Sequence, residues 1–145
     1  MFILAHLAAG LIIGKASGSY APSLIGALAV DVDHLVPYVK HKVFLSPRKL
    51  WKTITDPDDP YGNQRNFSHS FIFWAIISSV LTAVSFNAGL VFSIAYLSHL
   101  LLDLADGSDF YPFYPIKLNI RGPIAYMSKH EFLLTGLLFA IFVFI

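Results

Sequence analysis

Apolar residues gather along this chain into five long runs, at roughly 2–14, 22–39, 67–86, 88–105 and 131–145, with the polar residues between them. The clearest run, FSHSFIFWAIISSVLTAVSF, is long enough to cross about 30 Å of hydrocarbon as a helix rising about 1.5 Å per residue. The run 88–105 is almost as good. The first and last are nearer half-spans, which re-enter or stop short of the far interface unless extended. The pattern predicts an all-α, membrane-embedded bundle of four to five apolar helices, built as one domain over residues 1–145. FILAHLAAGLII followed by Ala16-Ser17-Gly18 has the outline of a secretory leader. It lacks a positive start and contains His6, so it is read as part of the bundle.

The polar stretches carry elements of their own. SPRKLWKTI predicts a short interfacial helix with Ser46 as its cap and Pro47 at its first position. Leu50, Trp51 and Ile54 then share one side, and Arg48, Lys49 and Lys52 face phosphate headgroups. DPDDP at 56–60 reads as a solvated acidic turn, and FYPFYP at 110–115 carries aromatics suited to the headgroup zone.

Composition strengthens the membrane reading. The chain is 56% hydrophobic and 13% charged, whereas about a quarter of a soluble domain is charged. A net charge of +1 argues against direct nucleic-acid binding. There is no cysteine, so thiolate sites and disulfides are excluded, and any metal must be held by His, Asp and Glu. If all five runs cross, the loops 40–66 and 107–129 share a side. Nine of the ten Lys and Arg residues lie in those loops, leaving Lys15 on the other side. The positive-inside rule then puts both loops and the N-terminus in the cytoplasm, with the protein a multi-pass cell-membrane protein.

Placed on that topology, the titratable residues of the apolar runs converge on the cytoplasmic end. His6 begins the first run, Asp31, Asp33 and His34 end the second, His69 opens the third, and His99 and Asp103 lie in the cytoplasmic half of the fourth. Ionised groups in apolar surroundings need partners. His99 and Asp103, four apart, share a helix face about one turn apart and can ligate one ion. Asp31 and Asp33, two apart, do not point the same way in a regular helix. Pro37 follows closely, so the chain is expected to unwind there and let DVDH fold around a cation. Imidazole with carboxylate suits zinc, manganese or iron, and bridging carboxylates allow one ion or two. Within DVDH the order of preference for metal contact is Asp33, then Asp31, then His34. His41, beside two lysines, is not read as a ligand, and His130-Glu131 reads as supporting or interfacial.

Four blocks in order, HLAAGLIIG, GALAVDVDH, QRNFSHS and YLSHLLLDLADG, cover most of the chain up to about residue 115. Together they resemble the family of LexA-binding, inner-membrane-associated metal-dependent hydrolases. That family is in turn similar to the zinc-dependent phospholipase C and single-strand nuclease superfamily, an all-helical fold with clustered zinc ions. The resemblance implies a phospholipase C-like bundle in which His69, His99, Asp103 and one of Asp31 or Asp33 hold one ion. It implies that His6 and a carboxylate, with Asp103 as a bridge, hold a second. The chain departs from the family pattern at Val30, where Pro is usual, at Gln64, where His is expected, and at Asn66 and Ser68 in place of Gly and Thr. Asp106 stands where Thr is common and can add a carboxylate.

The expected function is hydrolysis of a phosphoester, lipid-linked by location, at the cytoplasmic interface. Whichever of Asp31 and Asp33 does not ligate is expected to be the general base; Asp31 and Arg65 are the catalytic candidates, Arg65 as a bidentate phosphate contact or else a positive-inside anchor. Membrane lipid is the expected partner. The alternative is a non-enzymatic metal-binding membrane protein with a structural, regulatory or protein-binding role. A transporter ranks last, because Ser78, Ser79 and Thr82 are too weak a polar set to make a pathway.

Overall fold

A computed structural model describes residues 1–56 and 67–145. These form seven α-helices: α1 (Ile3–Ser17), α2 (Tyr20–Leu28), α3 (Leu35–Lys40), α4 (Pro47–Thr55), α5 (Phe71–Val84), α6 (Phe86–Ala105) and α7 (Lys129–Phe144). Two 3₁₀ turns, Ala29–His34 and Val43–Leu45, interrupt them. Among the described residues there is no strand, so the all-α expectation holds for them. The short helix expected at SPRKLWKTI forms as α4, with Ser46 accepting from the Lys49 amide at 3.4 Å and Pro47 in its first turn.

The run 22–39 is not one helix. α2 stops at Leu28, the chain tightens into the 3₁₀ turn, and α3 restarts at Leu35. Pro37 lacks an N–H and its ring clashes with the carbonyl four residues back, so no α-helix runs unbroken through Asp33 to Pro37. Pro37 sits instead in the first turn of α3, where its missing donor is harmless.

α1, α2 and α6 pack together, and α5 lies along α6. Contact is close enough to need glycine. A Cβ on Gly26 would lie 2.4 Å from the Phe92 carbonyl oxygen, so the backbone of α2 rests directly on α6. Ser23 Oγ donates to the Gly10 carbonyl at 2.6 Å and joins α2 to α1. Val30, Tyr96, Leu100 and Phe110 are buried together, with Phe71, Trp74 and Phe92 packed around them.

The distribution of polarity is inverted relative to a water-soluble protein. Ile76, Val80, Leu90, Ile94, Leu133 and Leu137 are exposed, while His6, His69, His99, Asp103, Asp106 and Glu131 are buried. Continuous apolar outer faces are rare on soluble monomers and suit a hydrocarbon environment. Among the described residues, α6, at 20 residues, is long and apolar enough to cross a membrane. α1 and α5 are apolar but shorter, at 15 and 14 residues.

The segment after α6 is laced to that helix's C-terminal carbonyls. Ile124 N–H donates to the Ala105 carbonyl at 3.0 Å, and Gly122 N–H to the Asp106 carbonyl at 2.7 Å. Arg121 Nε and Asn119 Nδ2 donate to Asp109 Oδ1 at 2.5 and 2.7 Å. These two donors hold the Asp109 carboxyl below its ordinary pKa. Glu131 closes the other side of the bundle: its two oxygens accept the Phe2 and Met127 amides, each at 2.5 Å.

Three outcomes follow. Gly26→Ala forces α2 off α6 and is expected to cost about 1–3 kcal/mol in denaturant unfolding of the detergent-solubilised protein. Glu131→Ala strands two amides and is expected to cost about 1–3 kcal/mol for each, read in the same assay. A depressed folded-state pKa stabilises fully above the ordinary carboxylate range and loses that contribution as pH falls through the lowered value. Protection factors across 106–124, corrected for the intrinsic pH dependence of exchange, should therefore fall on acidification in the wild-type protein, and Asp109→Asn should remove that fall.

Candidate metal centre

Three elements bring the titratable side chains together. α6 supplies His99 and Asp103 one turn apart on its inner face, the 3₁₀ turn supplies Asp31, and the residues leading into α5 supply His69. His99 Nε2 lies 3.2 Å from Asp103 Oδ2 and 3.6 Å from Asp31 Oδ1. His69 Nε2 lies 3.4 Å from Asp31 Oδ1, 3.5 Å from Asp103 Oδ2 and 3.3 Å from His99 Nε2. These four atoms thus share five separations of one size.

The far side of each ring decides what the near side can do. His99 Nδ1 sits 2.7 Å from the Ala27 carbonyl, which only accepts, so Nδ1 carries the proton and Nε2 presents a lone pair. His69 Nδ1 sits 3.1 Å from Asp33 Oδ2 and is fixed in the same way. Ser68 Oγ in turn donates to that Asp33 oxygen. With both rings neutral, two nitrogen lone pairs and two carboxylate oxygens converge. Without a cation between them, burial, which lowers the His69 pKa, is outweighed by hydrogen bonds to Asp31 and Asp33 that raise it to about 9, so a proton is held there. One proton relieves one such pair of acceptors, whereas a cation at the centre satisfies all four.

The dimensions fit a metal ion. Four ligands held tetrahedrally at about 2.1 Å stand about 3.4 Å apart. His6 adds to the donor set. It is 1% exposed, stacks on His99 with ring centroids 3.8 Å apart, and lies 3.4 Å by Nε2 from Asp103 Oδ1. Among the described residues neither ring nitrogen of His6 has a well-formed hydrogen bond beyond that long Asp103 contact, a costly state for a buried imidazole that ligation would relieve. The Met1 nitrogen lies 2.7 Å from Asp103 Oδ1 and 2.5 Å from Asp106 Oδ2, all buried.

Asp31 and Asp33 separate as a three-residue turn requires. Residues three apart eclipse in a 3₁₀ turn, so Asp31 shares its side with His34, whose Nε2 is 3.5 Å from Asp31 Oδ1. Asp33 points elsewhere and braces the outer nitrogen of His69. The expected order, Asp33 ahead of Asp31, is reversed by this geometry: Asp31 joins the converging atoms and Asp33 stands behind a ring. His34 forms a third cluster with Asp31 and His69 at the open edge of the site, where Asp31, Asp33 and His34 keep 20–30% of their side-chain surface.

His6, Asp31, His69, His99 and Asp103 are thus brought together as the sequence predicts, with His34 at the rim. His41 and His130 are exposed and apart from the cluster. Arg65 and Gln64 lie outside the described residues. Sequence reasoning missed the bracing roles of Ser68 and the Ala27 carbonyl. The Ser-His-Ser triplet carried a weak signal for the first, and nothing in sequence marks a backbone carbonyl. Asp106 is buried against the Met1 ammonium and accepts the Ser108 amide at 2.8 Å.

No curated protein and no solved structure matches the chain. A family model does, over residues 1–145, and the inverted polarity of the bundle agrees with its description. The chain belongs to the YdjM inner membrane protein family.

Proposed function

We propose that this inner-membrane protein is a divalent-metal-dependent phosphoester hydrolase, working as a single multi-pass unit with its metal centre toward the cytoplasm. The observation that carries the reading is the convergence of His69 Nε2, His99 Nε2, Asp31 Oδ1 and Asp103 Oδ2 at 3.2–3.6 Å. These four residues would hold one ion, and His6 with Asp103 would contribute to a second. Zinc suits the set best, and manganese or iron would accept the same ligands. When bound, the ion supplies Lewis-acid polarisation of a phosphoryl oxygen and makes water a nucleophile near neutral pH.

The chain's own groups do the rest. Asp33 and the Ala27 carbonyl lock the two imidazoles in the ligating tautomer, as supports of this kind do for metal-bound histidines. Asp31 would ligate through Oδ1, so the base would be its second carboxylate oxygen, at the partly exposed edge of the site, taking a proton from the attacking water. Arg65 would neutralise a phosphoryl oxygen bidentately. The apolar outer faces of α5, α6 and α7 support a bundle set in lipid, and the basic loops support the cytoplasmic orientation. A lipid-linked phosphoester follows from that location.

A second reading is metal binding for structure, regulation or a protein partner at the loops, which the same buried donor set would serve without catalysis. Purified protein is expected to carry near-stoichiometric zinc, manganese or iron by elemental analysis, and His99→Ala or Asp103→Ala to lose most of it. Asp33→Asn keeps every ligand and should weaken metal binding by about 10–100-fold. Hydrolysis of a phosphoester panel that vanishes in His69→Ala supports the enzyme. A metal-loaded protein inert on the whole panel favours the second reading, and full metal retention in both alanine variants overturns both.

A further inference from the structure

The arm between the metal centre and the undescribed residues is built inside out. In α4 the residue turned inward is Thr53, 8% exposed, while Trp51 is 70% exposed. Ahead of it, Phe44 and Leu45 are 54% and 79% exposed. At about 100° per residue, Leu50, Ile54 and Trp51 fall in one arc of α4, so its apolar side is the side that nothing in the described chain covers. Among the described elements, α3 packs mainly on both 3₁₀ turns and α4 on the second, Val43–Leu45. The Tyr126 hydroxyl, donating to the Ile54 carbonyl at 2.9 Å, ties the end of α4 to the segment after α6.

Charge identifies what covers this face. Residues 35–55 contain Lys40, Lys42, Arg48, Lys49 and Lys52 and no carboxylate. All five cations are exposed. Arg48 borders the apolar arc of α4, and Lys49 and Lys52 lie behind it, where long side chains reach sideways to a charged plane while their stems cover apolar surface. An exposed apolar arc backed by cations, on a segment continuous with a membrane-embedded bundle, is the arrangement of a helix lying in the plane of an anionic leaflet.

We propose that residues 43–55 form an in-plane anchor that docks on anionic phospholipid headgroups, with Trp51 seated at the level of the upper acyl chains. The anchor is independent of metal binding and catalysis. Its consequence for the site is positional: the arm springs from the turn that carries Asp31, Asp33 and His34, so docking holds the open edge of the cluster near the headgroup layer.

The protein has two tryptophans, Trp51 and Trp74, so the emission of full-length protein minus that of Trp51→Phe isolates Trp51. In nanodiscs of phosphatidylcholine mixed with phosphatidylglycerol, that difference emission is expected at short wavelength. It should be quenched more by lipids brominated near the headgroup end of the acyl chains than by lipids brominated near the bilayer centre. Quenching should weaken in phosphatidylcholine alone. In Arg48→Gln, Lys49→Gln and Lys52→Gln combinations, the docked-to-undocked ratio should fall about fivefold per cation removed. Emission unquenched by either lipid, whether from water or from burial under a second copy or another protein, overturns the proposal. So does stronger quenching from the bilayer centre, or quenching indifferent to phosphatidylglycerol.

Discussion

Two imidazole nitrogens held 3.3 Å apart, both turned toward two carboxylates, are the constraint around which this bundle is organised. Acceptors do not gather in a low-dielectric interior without positive charge between them, because nothing there repays their lost hydration. The fold maintains the arrangement by occupying the outer nitrogen of each ring, one with a helix carbonyl and one with a carboxylate. Both braces come from one short stretch, Ala27 at the end of α2 and Asp33 near the end of the 3₁₀ turn that follows. A single interruption in one helix thus frees Asp31, supplies Asp33 and positions the Ala27 carbonyl.

That interruption also explains why the bundle is polar within and apolar without. α2 is too short to span and is sandwiched between α1 and α6, where Gly26 lets the backbones touch. The close approach brings His99 of α6 up to the end of α2 and His6 of α1 onto the face of His99. The outer helices α5 and α7 then present their aliphatic side chains outward. In water such a surface would be a liability; in a bilayer it costs nothing, and the buried polar cluster becomes the feature that specifies how the helices meet.

Much of this was legible from residue types and spacing. Histidines and aspartates confined to one end of apolar runs cannot be left unpartnered, and His99 with Asp103 share a face at any helical spacing of four. Ser46-Pro47 marked the start of α4 through local capping chemistry alone. The roles within DVDH were not legible, because they depend on whether the backbone turns with three or 3.6 residues. In an α-helix Asp31 and His34 would already be near neighbours, and the 3₁₀ turn brings them fully into register and sends Asp33 outward.

The sequence by itself determined that the protein is helical and suited to lipid, that cysteine chemistry is absent, and which imidazoles and carboxylates had to find one another. Those properties follow from composition and from periodicities fixed by backbone geometry. The tertiary structure decided which nitrogen of each histidine faces inward, that Asp31 stands in the cluster and Asp33 behind it, and that α4 turns its threonine in and its tryptophan out. Each of these depends on contacts between residues tens of positions apart, such as Ala27 with His99 or Asp33 with His69, and local sequence carries no record of such distances.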